Sequence, residues 1–497
     1  MTLLSILQAG HPDHPALLAP DRAALSYGQL SAHVAELAER LQSFGIGRGD
    51  RVAIAMTNGP EMVISFLAAA TCATAAPLNP KYTPDEFGFY YEDTHAVALL
   101  AQPNSVEAAY AAARPGMALI LVHSRQNSLL EFELLRGGGL PKPGPLAEAE
   151  DIAMILHTSG TTSRPKRVPI RHRNLIASAG NIGRTYQLRP DDRSLCVMPL
   201  FHIHGIVASM LSTFASGGTL VCPPGFDALR FWGWVDEFKP TWYSAVPTMH
   251  QILLSRAERN AELIRANPLR FIRSSSASLP SIVMERMEAS FAAPVLESYG
   301  MTEASHQMTS NPLPPGLRKP GSVGYGVGVD AAIMDEHGNL LAAGQRGEVV
   351  VRGPNIVDGY ENNPEANATA FVQGWFRTGD QGLIDADGYL SLTGRLKELI
   401  NRGGEKISPL EIDDVLLRHP AVAEALAFAV PHRSLGEEVQ AAVVLRGTVD
   451  ERSLREYCAT QLADFKVPRV IHILQELPRG ATGKLQRINM ARLLGLE

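Results

Sequence analysis

The first 300 residues alternate between two kinds of apolar pattern. Segments with apolar residues at helical spacing, such as residues 26–45, are separated by short and nearly continuous apolar runs, the first beginning at Arg51. Further runs follow at Ala96–Leu100, Ala118–Val122, Ile152–Leu156, Leu195–Met198, Thr219–Cys222 and Phe271–Arg273. Alternation of this kind predicts layers of helices packed on mostly parallel sheets.

The pattern changes after about residue 321. Short strand-like segments with glycine-containing turns predict a small antiparallel β unit, and a mixed α+β segment follows Gly394. A capping box at Ser408–Glu411 predicts the start of a helix in that segment. The sequence therefore predicts an α/β protein with two domains. The large N-terminal domain, 1–394, has layered α/β sheets plus the small β unit, and the α+β C-terminal domain spans 395–497.

Composition excludes some classes of protein. The 497 residues contain 45 basic and 51 acidic side chains, a formal charge of −6, which argues against a nucleic-acid-binding protein. The apolar stretch Val63–Leu78 is too short for a membrane span and predicts a buried helix that ends in a strand. The four cysteines show no paired spacing and the N-terminus resembles no signal peptide, so we expect a cytoplasmic enzyme. We also expect a monomer or a homodimer.

A polar loop follows the strand predicted at Ile152–Leu156. Hydroxyls, a flexible glycine and a terminal ammonium can together surround phosphate oxygens, although the usual P-loop pattern is absent. We therefore expect phosphate binding, with an ordinary polar turn as the alternative. The candidate residues are Thr158, Ser159, Gly160, Thr161, Thr162 and Lys166.

The segment Ser159–Lys166 resembles the phosphate loop of the adenylate-forming superfamily, which includes acyl-CoA synthetases, luciferases and adenylation domains of peptide synthetases. Ser163 and Arg167 depart from that family's usual glycines. Four further motifs occur in the family's order: Tyr299–Glu303, Gly374–Asp380, Gly394–Lys406 and Pro478–Lys484. The resemblance spans almost the whole chain. It implies an ATP- and Mg²⁺-dependent ligase that joins a carboxylic acid to coenzyme A through an acyl-adenylate.

The resemblance also implies roles for the nucleotide-binding residues. Tyr299 would stack on adenine, Thr302 would contact the α-phosphate and Glu303 would bind Mg²⁺; an aromatic face, a hydroxyl and a hard oxygen ligand suit these tasks. Asp380 would bind the ribose hydroxyls, and Arg395 would lie near the nucleotide. Thr162 and Glu303 are expected to take part in catalysis.

The family's C-terminal domain is mobile, which implies roles for four more residues. Lys484 would bridge the carboxylate and the α-phosphate during adenylation, where negative charge develops. Lys397 would act as the hinge. The domain would then rotate and present the loop of Gly403 and Gly404 for the CoA step.

The segments that correspond to the family's acid pocket are polar in this chain. A pocket of histidines and serines suits a small acid whose second carboxylate must be hydrogen-bonded or paired. The segments around Leu200–Gly205, Phe271–Ser278 and Met301–His306 are similar to the oxalate–CoA ligase branch. That similarity implies oxalate contacts from His306 and Ser276, with His204 in the same pocket.

Other functions stay open at this point. The acid could be a short- or medium-chain monocarboxylic acid, or the enzyme could load a carrier protein. Arg167 prompts the hypothesis of a nucleotide-binding pseudoenzyme, and His202 with His204 could bind a metal if a third ligand were present.

Overall fold

A computed structural model describes residues 1–103, 107–125, 128–158, 165–479 and 485–496. In chain order its α-helices are α1 (Leu3–Ile6), α2 (Tyr27–Ser43), α3 (Pro60–Cys72), α4 (Pro84–Asp93), α5 (Glu107–Ala112), α6 (His172–Thr185), α7 (Ser212–Ala215), α8 (Phe231–Phe238), α9 (Pro247–Leu254), α10 (Ala261–Ala266), α11 (Ser281–Phe291), α12 (Pro364–Ala370), α13 (Pro409–Arg418), α14 (Glu451–Gln461) and α15 (Met490–Leu493). A π-helix spans His204–Leu211, and short 3₁₀ turns span Leu7–Ala9, Glu258–Asn260, Thr302–Ala304 and Asp464–Lys466.

The strands of the first 310 residues are β1 (Pro15–Leu18), β2 (Leu25–Ser26), β3 (Arg51–Ala55), β4 (Thr74–Pro77), β5 (Ala98–Ala101), β6 (Ala118–Ser124), β7 (Leu130–Arg136), β8 (Ile152–Thr158), β9 (Lys166–Arg171), β10 (Arg193–Leu195), β11 (Thr219–Val221), β12 (Trp242–Ala245), β13 (Phe271–Ser274), β14 (Val295–Met301) and β15 (His306–Ser310). The later strands are β16 (Tyr325–Gly326), β17 (Asp330–Met334), β18 (Arg346–Arg352), β19 (Phe371–Val372), β20 (Trp375–Ile384), β21 (Leu390–Arg395), β22 (Ile400–Arg402), β23 (Glu405–Ile407), β24 (Val422–His432), β25 (Gly436–Leu445) and β26 (Ile471–Leu474).

Two large sheets carry the N-terminal part of the chain. One has the strand order β16-β15-β14-β13-β12-β10-β11-β1-β2, and the other has the order β7-β6-β5-β3-β4-β8-β9. Their central strands pair in parallel, as the apolar runs predict. Antiparallel pairs lie towards the ends of the sheets, namely β14-β15, β15-β16 and β1-β2 in the first and β6-β7 and β8-β9 in the second. The carboxyl ends of β12, β13 and β14 meet at one edge of the first sheet, where ligands of open α/β sheets bind.

Several local predictions are confirmed. The stretch 63–78 forms the end of the fully buried helix α3 followed by β4, and residues 26–45 contain α2 with Ser26 as its N-cap. The strand predicted at Leu195–Met198 instead lies at β10. The apolar run misled the prediction because Cys196, Val197 and Met198 stay buried after the strand ends.

The later part of the chain contains two smaller sheets. Strands β17 to β21 form the antiparallel unit that the glycine turns predict, and β22 to β26 form a sheet covered by α13 and α14. The predicted boundary between residues 394 and 395 falls at the last residue of β21, and the division into domains 1–394 and 395–497 stays a proposal. Among the helices of the described residues, none has both the length and the apolar character needed to cross a membrane.

The predicted capping box at Ser408 is wrong. Ser408 does precede α13 in extended conformation, but its hydroxyl makes no capping bond to the helix. It donates instead to the carbonyl of Thr393 on β21. The hydroxyl therefore joins the C-terminal helix to the small β unit, a long-range contact that local spacing could not predict.

Strand β14, which leads into the candidate site, carries a buried carboxyl group. Glu297 is 3% exposed, and its Oε1 accepts a hydrogen bond from the backbone N–H of Leu279 at 2.8 Å. Burial raises the pKa of Glu297 to about 8, and the charge of Asp414 on α13 adds to this rise. The folded protein therefore holds Glu297 protonated at neutral pH.

The raised pKa of Glu297 should make the stability of the folded protein depend on pH. Because its folded-state pKa lies above the ordinary 4.5, its stabilising contribution is fully present below that value and is lost as the pH rises towards about 8. We expect Glu297→Gln, which stays neutral, to gain stability over wild type across this window, by at most about 1.4 kcal/mol per pH unit. Thermal unfolding from pH 5 to pH 8 measures the difference, and a difference independent of pH would contradict the assignment.

Candidate active site

One group of site residues lies where β14 meets the small β unit. The hydroxyl of Tyr299, at the end of β14, donates to Oδ2 of Asp380 on β20. Arg395, the last residue of β21, places its Nε 3.4 Å from Oδ1 of Asp380. Burial, followed by the charge of Asp380, raises the pKa of the Tyr299 phenol, so its hydroxyl keeps its proton. The predicted adenine and ribose residues are therefore in contact.

Glu303 lies in the 3₁₀ turn directly after β14, together with Thr302. Its side chain is buried, and its Oε1 accepts a hydrogen bond from the hydroxyl of Tyr360 at 2.8 Å. Burial raises the pKa of Glu303 above its ordinary value, against the opposing charges of Lys166 and Arg395. Within the described ranges, no basic side chain forms an ion pair with this carboxylate. A buried, hard oxygen ligand without an ionic partner suits a hard divalent cation such as Mg²⁺.

Tyr360 is a site residue that the sequence did not reveal. Besides its bond to Glu303, its ring lies under the ammonium of Lys166, with Nζ 4.4 Å from the ring centroid. No motif marks this tyrosine, and only the fold brings it to the other two residues. Tyr360 thus connects the predicted phosphate-loop lysine with the predicted metal ligand.

Arg167 points away from Lys166. Neighbouring residues of a strand face opposite sides, and Arg167 follows Lys166 on β9. Its guanidinium donates to the carbonyl of Asp93 and lies 3.4 Å from the carboxylates of both Asp93 and Glu361. The arginine is therefore paired on the far side of the strand, which removes the reason to consider a pseudoenzyme.

Some predicted residues lie outside the described part of the chain, namely Ser159, Gly160, Thr161, Thr162 and Lys484. Thr158 ends β8 and pairs with Lys166 across the two strands that flank the loop. Lys397 follows β21 at the surface. Gly403 and Gly404 form the exposed turn between β22 and β23 with φ of +62° and +93°, values that favour glycine.

A second group of residues surrounds His204, the first residue of the π-helix. Its Nδ1 lies 3.0 Å from Oγ of Ser276, and its Nε2 lies 2.6 Å from Oγ of Ser244. The ring of His306 packs against it with centroids 4.9 Å apart. The structure thus brings together His204, Ser276 and His306, as predicted, and adds Ser244. Because both ring nitrogens of His204 contact serines, this histidine does not suit the alternative of a metal ligand.

Backbone constraints hold this polar group in place. Ser276 and His306 have φ of +73° and +100°, conformations that side chains other than glycine adopt only when tertiary contacts impose them. A Cβ on Gly300 would lie 2.0 Å from the carbonyl oxygen of His306, so only glycine permits that approach. A Cβ on Gly205 would likewise lie 2.3 Å from the carbonyl oxygen of Pro199.

Arg273 is the second residue that sequence reasoning missed, although it ends a predicted apolar run. Its side chain on β13 is fully buried, and its described partners are all neutral. Nη1 donates to Ser244 Oγ at 3.0 Å and Nη2 donates to Gln307 Oε1 at 3.0 Å, while Nε donates to the hydroxyl of Tyr186 at 3.0 Å. The available signal was an arginine at the end of a run that predicts a buried strand.

Comparison with known proteins assigns the family. The model of the AMP-binding enzyme family matches residues 7–361, and the model of the AMP-binding enzyme C-terminal domain matches residues 411–484. A probable CoA ligase of Humulus lupulus is 46% identical over 98% of this chain and 94% of its own length. The oxalate–CoA ligase of Arabidopsis thaliana is 44% identical over 98% of this chain and 96% of its own.

Solved structures agree with this assignment. The crystal structure of ATP-bound MatB from Rhodopseudomonas palustris superimposes with a TM-score of 0.88 and 30% identity, covering 99% of this chain and 98% of that chain. The predicted fold class, with a large N-terminal and a smaller C-terminal part, is confirmed. ATP and CoA are the co-substrates of this class of ligase. The chain therefore belongs to the AMP-binding family of adenylate-forming enzymes, on its oxalate–CoA ligase branch, and is an AMP-forming acid–CoA ligase.

Proposed function

We propose that this ligase activates oxalate, or another small dicarboxylic acid, and transfers it to CoA. The observation that carries the proposal is the convergence of His204, Ser276 and His306 at the sheet edge, with His306 only three residues after Glu303. Donor-rich side chains of this kind suit a second carboxylate next to the reacting one. The Arabidopsis relative named for oxalate supports the same acid.

The first half-reaction forms the acyl-adenylate. A carboxylate oxygen of the acid attacks the α-phosphorus of ATP, and pyrophosphate leaves with the electron pair of the broken P–O bond. In our proposal the loop hydroxyls of residues 158–162 and the ammonium of Lys166 hold the phosphates, with Thr302 at the α-phosphate. Lys484 stabilises the charge that develops between the acid and the nucleotide.

The nucleotide would bind across the first group of residues. Tyr299 would present its ring to adenine, while Asp380, held by Tyr299 and Arg395, would accept bonds from the ribose hydroxyls. Glu303 would hold Mg²⁺, and the Tyr360 hydroxyl orients the carboxylate for that contact. When bound, the metal ion neutralises phosphate charge.

The second half-reaction forms the thioester. The CoA thiolate attacks the acyl carbonyl, and AMP leaves with the oxygen that joined the two groups. We propose that the C-terminal domain rotates about Lys397 between the two steps, so that the turn of Gly403 and Gly404 replaces Lys484 at the site.

The hinge leads to a testable prediction. Proline fixes φ near −65°, so Lys397→Pro would restrict the proposed rotation. We expect adenylation to be retained within about threefold and thioester formation to fall at least about tenfold. The half-reactions are measured separately as pyrophosphate exchange and as CoA consumption, with Lys397→Ala as the control that keeps φ free. Equal loss in both half-reactions would argue against the hinge.

A panel of acids tests the proposed substrate. AMP release is measured with oxalate, malonate, succinate, acetate and octanoate, each with and without CoA. The proposal requires oxalate or another diacid to give the highest kcat/KM with free CoA as acceptor. A preference for octanoate would overturn the small-diacid proposal, and a lack of CoA-dependent turnover would favour the carrier-loading alternative.

Cytoplasmic location and a monomeric or homodimeric state stay predictions.

A further inference from the structure

A buried positive charge, the guanidinium of Arg273, lies next to the His204 group of the proposed acid pocket. Arg273 is fully buried on β13, and no carboxylate of the described residues lies within ion-pairing distance of its guanidinium. An arginine stays charged in proteins, and a buried charge without an anion is costly. The neighbouring Arg270, by contrast, has an anionic partner, since its Nη2 lies 2.9 Å from Oδ2 of Asp192. Among the residues that the structure describes, no negative charge therefore lies next to Arg273.

The hydrogen bonds around Arg273 determine which atoms can donate. Its Nη1 donates to Ser244 Oγ at 3.0 Å and lies 3.3 Å from His204 Nε2. Since a guanidinium only donates, His204 Nε2 must be the unprotonated nitrogen. The Ser244 hydroxyl, which already accepts from Arg273, then donates its proton to Nε2 at 2.6 Å. The network thus selects a neutral His204 with its proton on Nδ1.

Ser276 lies at the far end of this hydrogen-bond network. His204 Nδ1–H donates to Ser276 Oγ at 3.0 Å. The Ser276 hydroxyl therefore keeps its own proton for another acceptor, and the described residues provide none. The hydrogen bonds of this network all run in one direction: Arg273 donates to Ser244, Ser244 to His204, and His204 to Ser276. An anion beside Ser276 would complete the chain and compensate the buried charge.

We propose that Arg273 is the positioning residue that makes this site select acids with a second carboxylate. It supplies the buried positive charge, and through Ser244 and His204 it makes the Ser276 hydroxyl a donor to the carboxylate that does not react. This inference rests on the proposed diacid substrate and adds to it the origin of the selectivity. Arg273 itself need not touch the acid.

The test compares oxalate with oxamate, which has the same shape but a neutral amide in place of one carboxylate. KM for oxalate, the inhibition constant of oxamate and KM for ATP are measured by pyrophosphate exchange. In Arg273→Met we expect KM for oxalate to rise about 10- to 100-fold. Oxamate inhibition and KM for ATP should change less than about threefold, since neither depends on the second charge.

Three further variants separate a positioning role from a structural one. Arg273→Lys should restore part of the preference for oxalate, because it keeps the charge. Ser244→Ala keeps the arginine and interrupts the donor chain, so the preference should fall by a smaller factor even if Arg273→Met folds poorly. Arg270→Met removes a paired guanidinium from the same segment and should lower thermal stability without changing the oxalate-to-oxamate ratio.

The outcomes distinguish the two proposals. If oxalate and oxamate weaken equally in Arg273→Met, or if neither changes, the arginine is structural and the inference is overturned while the diacid substrate stands. If the wild-type enzyme activates no dicarboxylic acid, the proposed function is wrong and the inference falls with it.

Discussion

Replacing Glu303 with glutamine should lower kcat/KM for adenylation about 100-fold or more. The carboxylate is buried and accepts a bond from Tyr360, and the described residues offer it no basic partner. Glutamine keeps the size of the side chain but loses the charge that a divalent cation requires of its ligand. We expect the Mg²⁺ concentration for half-maximal pyrophosphate exchange to rise, with a smaller rise for Tyr360→Phe.

Glu297→Gln provides the matched control for this experiment. Glu297 is also buried and belongs to strand β14. Its partner is the backbone N–H of Leu279, and burial keeps it protonated. Its replacement should leave the Mg²⁺ dependence unchanged at neutral pH. If Glu303→Gln showed wild-type Mg²⁺ dependence, Glu303 would not be the metal ligand.

Lys484→Ala should lower the rate of adenylation about 100- to 1000-fold, because it removes the cation proposed to stabilise charge at the displacement. Thioester formation from a chemically prepared acyl-adenylate should stay within about threefold, since the rotated domain no longer needs this lysine. Single-turnover assays of each half-reaction measure the two effects. Equal loss in both would contradict a role confined to the first step.

The control for Lys484 is another lysine of the same region. Lys466 forms an ion pair with Glu411, 2.7 Å apart, on the outside of α13. Lys466→Ala should leave both half-reactions within about twofold, because surface ion pairs contribute little. A large effect of this control would indicate that any charge change in the C-terminal region disturbs the enzyme.

The parts of the fold that follow from local pattern were predictable. Short apolar runs correctly indicated β5, β6, β8, β11 and β13, because strands buried on both faces need apolar residues throughout. Ser408 shows the limit of local spacing, since its hydroxyl bonds Thr393 on a distant strand rather than its own helix. Tertiary contacts decided that bond.

Some residues of the candidate site could also be predicted from the sequence, and others could not. Tyr299, Glu303 and Asp380 could be named because they lie in motifs, and the structure brings Tyr299 into contact with Asp380. Tyr360 could not be named, because it reaches Glu303 only through the fold. Arg273 was not singled out, although it lies in the segment Phe271–Ser278, because its contact with Gln307 forms only in the folded sheet. Arg273 is buried on β13, and only the folded sheet shows that its described partners are neutral.

Transfer of labelled oxygen tests the central claim most directly. The enzyme is incubated with ATP, CoA and oxalate labelled with ¹⁸O, and the products are analysed by mass spectrometry. If a carboxylate oxygen attacks the α-phosphorus, each turnover leaves one ¹⁸O atom in AMP and none in pyrophosphate. Label in pyrophosphate or inorganic phosphate, or oxalyl-CoA formed with unlabelled AMP, would contradict an acyl-adenylate.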